Sequence, residues 1–136
     1  MDKGSSLIPV ILYRDAPAAI TWLCQVFGFR EQLRVSAGNG QIEHAQLLHG
    51  SGMLMLGSLK DSGFGQHMRE PQQVGGNTQA MYLQVEDADA VYARVQQAGF
   101  EVLMPIKDEE YGGRGFTCKD AEGHLWSVGS YDPWSE

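Results

Sequence analysis

Residues 10–29 read VILYRDAPAAITWLCQVFGF, and residues 82–100 read YLQVEDADAVYARVQQAGF. Each stretch is an apolar run, an aspartate, a helical segment and then Gly-Phe. Asp15 pairs with Asp87 at an offset of 72, and Gly28 with Gly99 at an offset of 71, so the second helix is one residue shorter. A later pair, GSGMLMLG at 50–57 and EGHLWSVG at 122–129, returns to 72 and sets Met53 against Leu125 and Gly57 against Gly129. One such match can arise by chance; three in the same order mark a duplicated module.

Each copy carries the same local signals. Leu7 to Arg14 is strand-like, and Asp15 follows as a helix N-cap whose carboxylate can accept free backbone amides. Ile20, Leu23, Cys24 and Phe27 form an apolar helical stripe, which Gly28 ends. Strands are expected at Glu31–Ser36, Gln41–His49 and Met53–Ser58, separated by Gly-Asn-Gly and Gly-Ser-Gly turns. In the second copy Thr78–Glu86 is the first strand and Asp87 the cap. Ala88, Val91, Tyr92, Val95 and Ala98 form the stripe, and Gly99 the stop. Strands near Glu101–Ile106, Gly115–Lys119 and His124–Tyr131 complete it. Between the copies, 60–77 is rich in Gly, Gln and polar residues and reads as a long loop within one domain. The fold class is therefore α+β: two tandem βαβββ modules, at about 7–59 and 78–134, within a single domain spanning 1–136.

Composition narrows the partners. Ten basic and seventeen acidic residues give a net charge of −7, which repels nucleic acid and anionic lipid. No run approaches the ~18 apolar residues of a membrane span, and the polar start does not read as a signal peptide. Two cysteines, Cys24 and Cys118, make neither a disulfide framework nor a zinc motif. A cytoplasmic protein with a small-molecule partner is the expectation.

The stretch YGGRGFTCKDAEGHLWSVGSYDPW at 111–134 resembles the C-terminal signature of the PhnB-like branch of the glyoxalase/bleomycin resistance protein/dioxygenase family, with Ala121 where that branch usually has proline. Paired βαβββ modules are similar to those of this vicinal-oxygen-chelate superfamily, and the resemblance runs from about Leu7 to Trp134. It implies a curled, open barrel in which metal-using members hold a divalent ion with four His, Gln or Glu side chains. Carried onto this sequence, the ligand positions fall at Ile8, Met55, Ala80 and Ser127. Divalent ions of this kind want carboxylate oxygen or imidazole nitrogen. Isoleucine and alanine offer no donor, and a thioether and a neutral hydroxyl are poor ones. The expectation is no metal and no cofactor, unless His44, His67 or Glu110 make an unrelated cluster.

Strand alternation then gives the residues that should line the ligand side. Val10, Leu12 and Arg14 share the parity of Ile8; Tyr82, Gln84 and Glu86 that of Ala80; Leu125, Gly129 and Tyr131 that of Ser127. Ile11, Tyr13, Leu83, Val85, Trp126 and Val128 should pack under the helices, and His44 and Gln46 should face away from Ala45 and Leu47. The ligand-binding candidates are His44, Gln46, Tyr82, Gln84, Arg114, Ser127 and Tyr131. His44 is the candidate acid–base group, against the reading of a half-exposed strand histidine. Arg114 could clamp a carboxylate or pair structurally with Glu110 or Asp120. Arg14 suits a surface ion pair, Trp126 the core and His124 a solvated turn. Tyr131 and Trp134 could wall the ligand or dock the tail, and His67 and Met68 could belong to a lid or dimer arm. A catalytic role for Cys118 finds no neighbouring base.

Two functions fit. One is a metal-free, homodimeric binding protein that sequesters or carries a small organic or antibiotic-like ligand. The alternative is a glyoxalase-like lyase or isomerase acting on a small carbonyl or carboxylate compound.

Overall fold

Asp15 and Asp87 each cap a helix, their carboxylates accepting the backbone N–H of Ala18 at 3.1 Å and of Ala90 at 3.0 Å. The computed structural model describes residues 4–135 and divides into two compact units, one ending at Glu70 and the other beginning at Pro71. The first unit runs β1 (Val10–Tyr13), α1 (Ala16–Trp22), β2 (Arg30–Gly38), β3 (Gln41–His49) and β4 (Gly52–Ser58). The second runs α2 (Pro71–Val74), β5 (Ala80–Gln84), α3 (Ala88–Ala98), β6 (Val102–Asp108), β7 (Arg114–Lys119) and β8 (Leu125–Gly129). The sheets are ordered β1-β4-β3-β2 and β5-β8-β7-β6, with the first pair of each parallel and the rest antiparallel. This is the expected α+β class of two tandem βαβββ modules.

The repeat holds at the level of register. Val10 lies beside Met55 as Tyr82 lies beside Ser127, and Leu12 beside Gly57 as Gln84 beside Gly129. Gln46 pairs with Met55 as Thr117 pairs with Ser127, so β7 follows β3 at an offset of 71. The extra residue of the first helix is taken up in a π-helical last turn, Leu23–Phe27. A π turn is the usual way to hold one inserted residue without unwinding a helix. Both helices consequently end on a left-handed glycine, Gly28 at φ 86° and Gly99 at φ 78°.

Alternation places the core as expected. Ile11, Tyr13, Leu83, Val85, Trp126 and Val128 are buried, together with Ile20, Leu23, Phe27, Val91 and Val95 from the helices. Tyr92 is half-buried and meets Phe116 edge-on at 5.0 Å, whereas Ala98 is exposed, so the second stripe stops one turn short.

Several boundaries move. β1 begins at Val10 instead of Leu7, because Pro9 has no N–H for the ladder and contributes only its carbonyl, to Met55 N at 3.0 Å. The first strand of the second unit contracts to Ala80–Gln84 and its last to Leu125–Gly129, while β2 and β6 extend to Gly38 and Asp108. The 60–77 stretch is not a plain loop: it holds a 3-10 turn, Gly63–His67, and α2. Glu70 is buried there and takes a 2.8 Å bond from Arg14. Arg14 is thus an ion pair, but with a partner beneath the surface.

Candidate functional site

In the second unit, Tyr82, Ser127 and Thr117 stand side by side across β5, β8 and β7. Directly paired residues point to one face of a sheet, and here it is the face away from α3. The hydroxyls of Thr117 and Ser127 bond to each other at 2.9 Å. The Tyr82 hydroxyl donates to the Tyr131 carbonyl at 2.7 Å, and the Tyr131 ring meets Tyr111 edge-on, centroids 4.9 Å apart at 81°. Burial, reinforced by the neighbouring Tyr111 and Tyr131, raises the Tyr82 phenol above its ordinary range and keeps it a donor. Tyr82 is still 43% exposed and Tyr111 60%. Exposed aromatic rings held in a fixed cluster form a stacking surface.

Two glycines make this cluster possible. Gly113 has φ +71°, and a Cβ there would lie 2.6 Å from Tyr131 N. At Gly129 a Cβ would sit 3.0 Å from the Tyr82 hydroxyl. Tyr131 itself lies beyond β8 and not within it, brought beside Tyr82 by its backbone carbonyl. Gln84 is exposed on β5 beside Gly129. Tyr111 was missed in the sequence, although the glycine pair that follows it signals a close approach.

In the first unit His44 and Gln46 do share a face, opposite the buried Ala45 and Leu47. His44 Nε2 meets Gln46 Oε1 at 2.8 Å, and Gln46 Nε2 donates to Gln32 Oε1 at 2.8 Å. Leu33 and Val35 are the β2 partners of Gln46 and His44. Gln32 could not be read from alternation, because β2 is exposed along its whole length and shifts register between Glu31 and Leu33. His49 also went unread: it is half-buried, its Nε2 bonds the Phe27 carbonyl at 3.1 Å, and burial lowers its pKa below 6.5.

Arg114 belongs elsewhere. It shares the parity of the buried Phe116 and Cys118, on the helix side of β7. Its Nε and Nη2 bond the Asp89 carboxylate at 3.0 and 3.1 Å, and its Nη1 bonds Asp108 at 3.0 Å. These partners hold the guanidinium charged. It therefore does not join the tyrosines as an anion clamp, and its partners are neither Glu110 nor Asp120.

Asp120 instead builds the signature. Its Oδ1 accepts the N–H of Glu122 at 2.9 Å and of His124 at 3.1 Å, and its Oδ2 accepts Trp126 Nε1 at 3.0 Å. Asp-x-Glu-Gly-His-x-Trp is thus a turn bolted to a core indole, and His124 is half-buried, not solvated. Cys118 is fully buried, and burial pushes its thiol up to about 12, away from the reactive thiolate form. His67 is exposed on the 3-10 turn, and Trp134 is exposed near the end of the chain.

The four positions at which the resemblance implies ion ligands do not fit an ion. Ile8 precedes β1, Met55 lies on β4 and Ala80 opens β5; the lone oxygen donor of the four, Ser127, is bonded to Thr117. Among the described residues no group of three His, Cys, Asp or Glu side chains could hold a metal.

A fold of paired βαβββ units defines the class, and comparison with known proteins gives its membership. The model of the Glyoxalase/Bleomycin resistance protein/Dioxygenase superfamily matches residues 8–128, and the chain belongs to that superfamily. An uncharacterised protein of Mycobacterium tuberculosis (strain ATCC 25618 / H37Rv) is 31% identical over 124 residues, covering 91% of this chain and 73% of its own. The crystal structure of TioX from Micromonospora sp. ML1 is 32% identical, with a TM-score of 0.72, covering 93% of this chain and 98% of its own. A glyoxalase/bleomycin resistance protein from Streptomyces sp. CB03234 shares the fold at a TM-score of 0.67 and 19% identity, covering 92% and 99%.

Proposed function

We propose that this chain is a binding protein of the glyoxalase/bleomycin resistance group that takes up a small, largely apolar organic molecule without a metal ion. The observation that carries the reading is the contrast on the open face of the second sheet. The family's ion positions there are Ala80 and Ser127, and Tyr82, with Tyr111 and Tyr131 beside it, supplies ring surface instead. Rings with a fixed polar fixture are the usual lining of an organic-ligand site. Stacking contributes about 0.5–1.5 kcal/mol per ring pair beyond burial. Ser127, Gln84 and Tyr131 complete that lining on the second sheet, and His44 and Gln46 are the separate ligand-binding candidates of the first sheet. A cytoplasmic homodimer of PhnB-like type is part of the same reading. Light scattering at micromolar concentration should give twice the chain mass, and a monomer mass would remove that part.

The test is quenching of intrinsic fluorescence by a planar neutral probe, β-naphthol, on the parent and on Tyr82→Ala and Tyr111→Ala. Saturable binding weakened several-fold in both variants is expected. Parent-like binding in both would sink the tyrosine surface.

A second reading has one observation behind it: Gln46 orients the ring of His44, as a general base requires. Loss of a lyase or isomerase activity on a small carbonyl compound in His44→Gln would establish it.

A further inference from the structure

The hydrogen bonds through Gln46 have a direction. Its Nε2 donates to Gln32 Oε1, so its carbonyl oxygen is the atom that faces His44 Nε2. An amide oxygen only accepts, so the neutral imidazole must carry its proton on Nε2. The lone pair is then on Nδ1. The string presents an acceptor at the His44 end, and Gln32 brings amide N–H donors at the other.

The backbone is bent to make this string. β2 shifts register between Glu31 and Leu33, which makes Gln32 a bulge residue opposite Leu47 and Gln46. A second shift, between Val35 and Ser36, leaves Glu43 as the extra residue of β3 and turns Ile42 into the core while His44 stays half-exposed. Bulges re-aim side chains and gather beside binding sites. The corresponding place in the second unit is the Thr117–Ser127 pair, whose hydroxyls bond each other.

The string's neighbours define what it would take. Leu33 pairs with Gln46, Val35 with His44, Met55 with Gln46 and Val10 with Met55, all uncharged, and Leu33, Val35 and Val10 are partly exposed. An apolar floor with one aligned acceptor suits a neutral ligand carrying a single O–H or N–H. We propose that His44 Nδ1 accepts a hydrogen bond from the hydroxyl or ring N–H of an uncharged, phenol- or lactam-like ligand, with Gln46 and Gln32 as positioning residues that hold the ring in that tautomer. This rests on the reading above that the chain takes up a small neutral organic molecule, and it names the polar group such a molecule would offer to the first sheet.

Two probes, β-naphthol and its methyl ether, in which a methyl group replaces the donor hydrogen, test it. The parent protein should prefer the naphthol by about ten-fold, the worth of one well-placed hydrogen bond. His44→Phe should bring the naphthol down to the affinity of the ether. Nitrogen NMR of the free parent protein should show the Nε2–H tautomer of His44, and Gln46→Leu should relax it toward a mixture. Equal binding of both probes by the parent, or a preference that survives in His44→Phe, would overturn this inference alone. If neither probe binds, the organic-ligand reading falls with it. An Nδ1–H tautomer in the free protein would overturn the inference even if the variants did not fold.

Discussion

The two sheets of this molecule have one backbone plan and two different open faces. Position for position, Val10, Met55 and Gln46 in the first unit correspond to Tyr82, Ser127 and Thr117 in the second. The first face is apolar, with a histidine–glutamine string made possible by bulges. The second is a closed hydroxyl pair under a tyrosine cluster made possible by Gly113 and Gly129. Duplication preserved what the backbone needs, namely the caps Asp15 and Asp87 and the helix-ending glycines. The side chains that a ligand would meet have diverged. The difference teaches that repeat symmetry is a guide to structure here and a poor guide to the site.

The turn before the last strand is built differently in the two units. In the first unit His49 pairs with Gly52 across a short turn, whereas Asp120 organises a longer one and bonds Trp126. Asp120→Ala should destabilise the protein by about 3 kcal/mol, since it strands buried donors that a charged acceptor now satisfies. Asp120→Asn should cost less. A denaturant midpoint unchanged by Asp120→Ala would mean the signature aspartate is not structural. Next in size is Gly113→Ala, which combines a left-handed backbone with a 2.6 Å approach to Tyr131 N. We expect a loss of about 2 kcal/mol and weakened probe binding together; stability without a change in binding would detach the tyrosine cluster from the ligand. Smaller still, Tyr82→Phe removes one hydrogen bond to the Tyr131 carbonyl and should cost about 1 kcal/mol.

The smallest expected effect is the pH dependence contributed by His49 of the first unit. Burial lowers the pKa of His49 in the folded protein, so the unfolded chain binds its proton first as pH falls. The contribution of His49 to stability is therefore complete above about 6.5 and is lost as pH falls through its lowered folded value. His49→Gln should flatten that part of the profile of unfolding free energy against pH. An unaltered slope would assign it to other groups.

Much of the fold was legible because its signals are local: an N-cap, a stripe and a stop, repeated at fixed spacing. Burial parity was also legible where strands are central, as Ile11, Tyr13, Leu83 and Trp126 show. It failed where the ladder slips, so Gln32 was unread and the 42–44 turn of face went unseen. Arg114 misled for a related reason. The sequence left it between a carboxylate clamp and an ion pair with Glu110 or Asp120, while its parity, the same as Phe116 and Cys118, put it with Asp89 on the helix side. Tyr131 was placed by extending β8 too far, yet it reaches the Tyr82 neighbourhood through its backbone.

The central claim is that ligand uptake needs no ion, because Ile8, Met55, Ala80 and Ser127 cannot bind one. The direct measurement is β-naphthol binding by protein stripped with a chelator, then repeated after adding zinc, nickel, iron(II) or manganese, with metal content determined in parallel. The account predicts the same affinity throughout and no stoichiometric retention of any ion. Binding that appears only with one metal, retained at about one ion per chain, would contradict it.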